Sequence, residues 1–192
     1  MIDSIKQRHG SLEPSPWVTR FAPLILAGGE VLDLACGGGR HTRYLLNKHY
    51  KVTALDKDIS NISNLASNPN IDLVQADLET SAPWPFPDKK FSGIIATNYL
   101  YRPLFPMILA TLAEGGILIY ETFAIGNERY GHPRNPDFLL KKDELLEWVK
   151  DQLNIVAFEQ GIIEGGDHPK VIQRICARKD NSFKLAELPT DA

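Results

Sequence analysis

The stretch from Val31 to Thr42 constrains the fold more than any other part of the chain. It begins with a short apolar run, continues with Cys36 and three consecutive glycines, and ends with residues that can open a helix. A strand, a tight turn and a helix N-terminus in this order predict a βα unit. Glycines let the backbone approach a ligand closely, and the first N–H groups of the helix face the space above the turn. We interpret the turn as a site for a nucleoside-bearing cofactor; a purely structural turn is the alternative.

The composition limits the classes of protein to consider. With 192 residues, 43% of them hydrophobic, the chain is long enough for one well-buried domain. The formal net charge of −3 does not favour electrostatic capture of nucleic acid or of an anionic membrane, although a local basic patch stays open. Residues 1–10 lack the apolar centre of a secretory signal, and no apolar run is long enough to span a membrane. We therefore expect a soluble, cytoplasmic protein.

Apolar β-type runs alternate with helical patterns along most of the chain. After the first strand, further strands are predicted at 51–56, 71–76, 91–97, 117–120, 153–163 and 170–177. Helices are predicted at 15–26, 40–48, 58–67, 104–113 and 142–151, and Glu114–Gly116 is predicted to cap the fourth of these. Parallel strands need crossover connections. The pattern predicts an α/β fold with a Rossmann-like, doubly wound sheet of about seven strands, mostly parallel, with an antiparallel C-terminal edge hairpin.

This pattern also predicts how the chain is divided. Residues 1–29 form an N-terminal helical segment that covers the cofactor site, residues 30–179 form the main domain, and residues 180–192 form a loose tail. Residues 124–140 form an irregular insertion rich in Gly, Asn, Pro and Arg. Loops of this length are usually functional or disordered.

Several polar residues follow predicted strands. Asp56, Asp77 and Asn98 each stand at a carboxyl end, as does the segment after Tyr120. In open α/β sheets, ligands bind beyond the carboxyl ends of the strands. We therefore expect these residues to meet the glycine turn at one edge of the sheet.

The spacing of Asp56 from the turn suits an acid that binds ribose hydroxyls. A solvated aspartate at the end of a strand is the alternative. A dinucleotide fingerprint fits less well, because Thr42 occupies the place of its third glycine. No Gly-Lys-Ser/Thr follows the turn, so a phosphate-binding NTPase loop is not indicated. The second acid, Asp77, favours a smaller ligand with a single nucleoside.

The stretch Asp33–Gly39 resembles motif I of the class I S-adenosylmethionine-dependent methyltransferases. Asp56, Ala76–Leu78, Asn98 and Glu114–Leu118 stand where later motifs of that family are expected. The resemblance covers residues 30–122, and the predicted topology extends it to about residue 178. A looser resemblance connects the chain with small stand-alone enzymes of the tellurite-resistance methyltransferase type. The resemblance implies S-adenosylmethionine as cofactor and methyl transfer as activity.

The resemblance also implies roles for single residues. Gly37 and Gly39 would pass the methionine part of the cofactor, and Asp33 would hold the turn and reach the cofactor ammonium. Asp56 would bind the ribose hydroxyls. Asp77 and the Leu78 amide would contact the adenine edge. Asn98 would lie near the methionine group, and the predicted cofactor-binding set is completed by Ala35 and Lys57.

Two positions fit the family pattern less directly. Arg20 is a candidate for the cofactor carboxylate, with a solvated arginine as the alternative. Ser92–Gly93 replaces an acidic residue that often stands at the start of the fourth strand in the family. The second departure weakens the local match but leaves the predicted binding positions unchanged.

A sulfonium methyl donor is already activated, so such an enzyme mainly orients the acceptor; orientation can supply roughly 7–11 kcal/mol. A general base is needed only for an acceptor that does not shed its proton unaided. Tyr99 is a candidate for the methyl-transfer pocket, although a tyrosine packed under the following helix is equally consistent. Amino-group methyltransferases of nucleic acids have two prolines after the corresponding asparagine. Asn98 is followed by no such prolines, so a nucleobase amine is not favoured as acceptor.

The insertion at 124–140 follows Glu121 at the end of a strand and is predicted to form a lid over the substrate. Glu121, Tyr130 and His132 are candidates for substrate binding or proton transfer. A plain solvated loop is the alternative.

The sequence thus predicts methyl transfer to a small-molecule acceptor, without a membrane partner; a nucleic-acid partner is disfavoured but stays open. An RNA or protein methyltransferase, or a non-catalytic cofactor-binding regulatory subunit, is the alternative, and the oligomeric state stays open.

Overall fold

The computed structural model describes residues 13–164 and 168–180. Three predicted features lie outside the described residues: the first part of the N-terminal segment, the turn of the C-terminal hairpin and the tail, at 1–12, 165–167 and 181–192 respectively.

The described residues form one seven-stranded sheet. Its strands are β1 Glu30–Leu34, β2 Lys51–Asp56, β3 Ile71–Gln75, β4 Phe91–Thr97, β5 Leu112–Phe123, β6 Asn154–Ile163 and β7 Lys170–Arg178. Their order is β3-β2-β1-β4-β5-β7-β6. The first five strands are parallel, and β7 pairs antiparallel with both β5 and β6. The predicted fold class is confirmed.

The helices are shorter than the sequence pattern predicts. Four α-helices are described: α1 Pro16–Phe21, α2 Arg40–Asn47, α3 Phe105–Thr111 and α4 Glu144–Val149. Helix α1 gives way to a 3₁₀ turn, Ala22–Leu24, in which Pro23 stands two residues after the last α-helical residue. The segment predicted as a helix over 58–67 is instead a 3₁₀ segment, Ser60–Leu65.

The predicted helix cap at Glu114–Gly116 is wrong. These residues lie at the start of β5, which begins directly after α3. Gly115 has a left-handed φ of +74°, and its N–H donates to the carbonyl of Lys179. The register of β4 with β5 shifts at this place. Gly115 therefore serves an irregular strand start.

An apolar core covers each face of the sheet, and successive side chains along a strand point into opposite cores. Ile94 belongs to the core beneath α3 and α4, whereas Ile95 belongs to the core beneath α1 and α2. In β5, Tyr120 contacts Phe105 and Trp148 on the first face. The neighbouring Glu121 faces the α1 side. This alternation brings a carboxylate to the edge where the parallel strands end.

Candidate functional site

The glycine turn after β1 has a left-handed backbone at three positions. Ala35, Gly37 and Gly39 have φ values of +54°, +52° and +72°. A Cβ on Gly37 would meet no atom within 4 Å, whereas one on Gly39 would collide with Ile62. Gly37 thus leaves open space above the turn, and Gly39 allows α2 to pack closely against its neighbour.

Asp56, at the end of β2, is fixed directly to this turn. Its Oδ2 accepts a hydrogen bond from the Gly37 N–H at 2.8 Å, and its Oδ1 accepts one from the Asp58 N–H at 3.1 Å. A carboxylate has about four acceptor positions. Asp56 is therefore oriented by the backbone while it keeps acceptor capacity for further donors.

A cavity of about 160 Å³ lies beside Asp56, at the carboxyl ends of the parallel strands. Its lining residues are Ala35, Asp56, Lys57, Ala76, Asp77, Leu78, Glu79 and Tyr99. The structure thus brings together five of the predicted cofactor-binding residues, from three different strand ends, with Tyr99 from a fourth. Three of the lining side chains are carboxylates, and only one is a lysine.

Asp33 lies beneath the turn and does not line the cavity. Its side chain is buried and accepts a hydrogen bond from the Thr42 hydroxyl at 2.6 Å. Burial raises the pKa of Asp33 to about 6, although the hydrogen bonds from Thr42 and the charge of Arg40 oppose that rise. Thr42 stands where a dinucleotide fingerprint would have glycine, and its hydrogen bond to Asp33 connects the end of β1 to α2.

Asn98 follows β4 and also has a left-handed backbone, with φ +55°. Its N–H donates to the carbonyl of Glu121 at 2.9 Å, and its side chain is exposed. Such conformations in non-glycine residues cluster at functional sites. Asn98 does not line the cavity described above.

A second polar group lies on the α1 side of the same edge. Glu121 is 8% exposed, and its Oε1 accepts a hydrogen bond from the Ser15 hydroxyl at 2.8 Å. Its Oε2 lies 3.3 Å from Nη1 of Arg174. Glu121 is thus held by the N-terminal segment and by β7.

His41 extends this group at the start of α2. Its Nε2 accepts a hydrogen bond from the Ser15 N–H at 3.1 Å, and its Nδ1 lies 3.4 Å from the Thr97 hydroxyl. Burial, together with the charge of Arg40, lowers the pKa of His41 to about 3. The imidazole is therefore neutral and acts as an acceptor. The sequence predicted Glu121 as a site residue but not its neighbours Ser15 and His41, because Ser15 before Pro16 indicates only the beginning of a helix.

Arg20 lies away from the glycine turn. Its guanidinium is 3.9 Å from the carboxylate of Glu159 and 5.1 Å from the ring centre of Phe21. Glu159 belongs to β6, which is four strands from β1, or about 19 Å at the usual strand spacing. The structure does not bring Arg20 to the predicted cofactor site.

The insertion is anchored at the same end of the sheet. Ala124 and Leu140, at its two ends, form a parallel bridge. Asn127 is 1% exposed, and its Oδ1 accepts a hydrogen bond from the Val171 N–H at 3.2 Å. Tyr130, 36% exposed, and His132 project from the outer part of the insertion, and neither lines the cavity.

Arg102 connects the insertion to the segment after β4. Its Nε lies 2.6 Å from Oε1 of Glu144, and its terminal nitrogens donate to the carbonyls of Asp137 and Leu139. The second half of the insertion is thereby held against the chain that follows Asn98.

Within residues 13–164 and 168–180, no group of three or more His, Cys, Asp or Glu side chains is placed to hold a metal ion. In the same part of the chain, no helix has the length and apolar character needed to cross a bilayer.

Comparison with known proteins defines the class. Residues 31–116 match the sequence model of a family described as a methyltransferase domain. The match covers slightly less than half of the chain, and together with the fold and the glycine turn it supports a class I S-adenosylmethionine-dependent methyltransferase. The recognition made from the sequence and the predicted cofactor, S-adenosylmethionine, are confirmed at the level of this class. A search of curated proteins gave no match.

Solved structures share the fold at low sequence identity. TehB from Haemophilus influenzae is 22% identical with a TM-score of 0.73, over 93% of this chain and 66% of TehB, slightly less than two thirds. The 1,6-didemethyltoxoflavin-N1-methyltransferase of Burkholderia thailandensis is 18% identical with a TM-score of 0.66, over 93% of this chain and 82% of that one. The glycopeptide N-methyltransferase MtfA is 20% identical with a TM-score of 0.60, over 92% and 96%. The structures of the last two contain S-adenosylhomocysteine.

Proposed function

We propose that this protein transfers a methyl group from S-adenosylmethionine to a small-molecule acceptor. The observation that carries the proposal is the Asp56 carboxylate, fixed by the Gly37 N–H beside a cavity lined from four strand ends. The toxoflavin methyltransferase with the same fold was solved with 1,6-didemethyltoxoflavin bound, which supports a small-molecule acceptor. The formal charge of −3 does not favour a nucleic-acid acceptor.

The residues around the cavity fit the nucleoside part of the cofactor. Asp56 would accept hydrogen bonds from the ribose hydroxyls, with Lys57 beside it. The exposed carboxylate of Asp77 and the N–H of Leu78 would contact the adenine edge. The wall next to the ribose would be Ala35, since it lines the same cavity.

The methionine part would pass over the glycine turn, where Gly37 leaves open space. Asp33 would act on the cofactor ammonium from beneath the turn, and Gly39 would support the turn through its packing. Asn98 would lie at the strand end nearest the methionine group. Arg20 has no part in this proposal, because its side chain lies beside β6.

The bound cofactor would supply an activated methyl group on a sulfonium sulfur. The chain then has to place the acceptor in line with that methyl group and exclude water. The insertion at 124–140 is suited to this task, since Asn127 and Arg102 fix both of its halves. Tyr130 and His132 project from it and would contact the acceptor or receive its proton. Glu121 would position the N-terminal segment, because Ser15 and Arg174 already bind its carboxylate.

Transfer of a labelled methyl group tests the proposal. Purified protein would be incubated with methyl-labelled S-adenosylmethionine and with metabolite, RNA or protein fractions of a cell extract. We expect label in the metabolite fraction alone. Asp56→Asn should weaken binding of S-adenosylhomocysteine by roughly 10- to 150-fold, the value of a hydrogen bond to a charged group. Asp72→Asn, an exposed aspartate outside the cavity, is the matched control.

The outcomes separate the candidate functions. Label in RNA or protein would show that the acceptor is a macromolecule, and the assignment of the cofactor would still stand. Binding of S-adenosylhomocysteine without label in any fraction would indicate a regulatory subunit. Unchanged binding by Asp56→Asn would refute the ribose assignment.

A further inference from the structure

The cavity beside Asp56 contains more hydrogen-bond acceptors than donors. Its carboxylates, from Asp56, Asp77 and Glu79, only accept when they are ionised. Among the lining side chains, the donors are the ammonium of Lys57, which is exposed, and the hydroxyl of Tyr99. Ribose hydroxyls and the adenine amino group are donors that suit the carboxylates. The ring nitrogens of adenine are acceptors, and they need a donor from the protein.

Tyr99 has such a donor without a partner. Its hydroxyl is buried and makes no hydrogen bond to any described residue. Buried polar groups are nearly always paired, so an unpaired hydroxyl calls for an explanation. Burial and the nearby charges of Glu79 and Asp77 raise the pKa of Tyr99, so the phenol stays protonated and remains a donor.

The backbone of Tyr99 is held in place independently of its hydroxyl. Its carbonyl accepts a hydrogen bond from the Tyr120 hydroxyl at 2.8 Å. Tyr120 is itself buried, and its ring packs against those of Phe105 and Trp148. The backbone of Tyr99 is therefore held in a fixed place at the end of the sheet, which favours a function in positioning a ligand over a loose surface contact.

We propose that the Tyr99 hydroxyl donates a hydrogen bond to a ring nitrogen of the cofactor's adenine and so selects for that base. The inference rests on the proposed function, and it moves Tyr99 from the methyl-transfer pocket to the nucleoside end of the site. At about 160 Å³ the cavity is smaller than ordinary ligand pockets, which begin near roughly 300 Å³. Asp77 and Glu79, which line the same cavity as Tyr99, are both exposed.

Calorimetric titration with S-adenosylhomocysteine tests the inference on the intact protein. Tyr99→Phe should bind about three- to tenfold more weakly, the value of one neutral hydrogen bond. Tyr101→Phe is the matched control, since Tyr101 lines the neighbouring cleft but not this cavity. It should bind within twofold of the wild type.

Thermal unfolding separates ligand recognition from a structural role. Removing an unpaired buried hydroxyl should leave the melting temperature of Tyr99→Phe equal to that of the wild type or higher. A clear fall in the melting temperature would show that the hydroxyl serves the fold and would overturn the proposal.

Deaza analogues identify the nitrogen. The 1-, 3- and 7-deaza forms of S-adenosylhomocysteine would be titrated into the wild type and Tyr99→Phe. For one of the three analogues, the wild type should bind the analogue more weakly than it binds the parent compound. Tyr99→Phe should bind that analogue and the parent compound equally well. Equal affinity of the wild type and Tyr99→Phe for the parent compound, or equal losses in both proteins for every analogue, would overturn the inference. If the wild type bound no S-adenosylhomocysteine, the proposed function itself would fail.

Discussion

The carboxyl group of Asp33 is buried, and burial disfavours its ionised form. Its pKa rises from 3.8 to about 6 in the folded protein, so the folded state holds the proton more tightly than the unfolded state does. The contribution of Asp33 to the free energy of unfolding is therefore highest below about pH 4 and falls as the pH rises to 6. At neutral pH the ionised group costs about 3 kcal/mol, from about 1.4 kcal/mol for each pKa unit.

Asp33→Asn should remove this dependence on pH. Relative to the wild type, the variant should gain about 2–3 kcal/mol of unfolding free energy when the pH is raised from 4 to 7.5. Urea unfolding at the two pH values measures the difference, with the exposed Asp88→Asn as control. A difference between variant and wild type that is the same at both pH values would contradict the burial argument.

Two of the three carboxylates of the cavity, Asp56 and Asp77, could be located from the sequence, whereas the partners of Glu121 could not. Asp56 and Asp77 each follow a strand, and parallel strands end at a common edge, so local pattern was sufficient. Ser15 donates from its hydroxyl to Glu121 and from its N–H to His41, and these contacts join residues far apart in the chain. They depend on how α1 lies across the sheet, which no local pattern contains. The same dependence explains why Arg20 is found beside Glu159.

At the scale of elements, the sequence predicted every strand, and its errors concern where helices end. Pro23 stands two residues after the end of α1, and Asn61 and Asn64 have low helix propensity within Ser60–Leu65. The glycines at 115 and 116 suggested a cap, but the strand begins before them. Helix length depends on packing as well as on propensity, and for this reason the boundaries were less predictable than the order of elements.

The insertion at 124–140 should depend on the anchor at Asn127. Replacing Asn127 by Ala leaves the Val171 N–H unpaired and removes the bond from the Asn127 side chain to the carbonyl of Pro133. A buried unpaired donor costs about 1–3 kcal/mol, so we expect tryptic cleavage after the exposed Arg129 to accelerate by about tenfold or more.

The exposed Asn64→Ala is the control for this experiment, and its cleavage rate should equal that of the wild type. Affinity for S-adenosylhomocysteine should stay unchanged in Asn127→Ala, because the insertion does not line the nucleoside cavity. An unchanged cleavage rate in Asn127→Ala would show that other contacts hold the insertion.

At the scale of the whole molecule, the proposed cofactor contacts the ends of four adjacent strands. These strands, β3, β2, β1 and β4, form one side of a single continuous sheet. Both cores pack against that sheet. Binding of a ligand that joins four strand ends should therefore stabilise the whole domain.

S-adenosylhomocysteine at one hundred times its dissociation constant should add about 2.7 kcal/mol to the free energy of unfolding. For a domain of this size each kcal/mol raises the melting temperature by roughly 2–4 °C, so we expect a shift of about 5–11 °C in differential scanning calorimetry. NAD at the same concentration should give no shift, because Thr42 fills the place of the third glycine and bonds to Asp33. Equal shifts with the two ligands would mean that the edge of the sheet recognises a nucleoside of any kind, and the assignment of the cofactor by its acids and glycines would then be wrong.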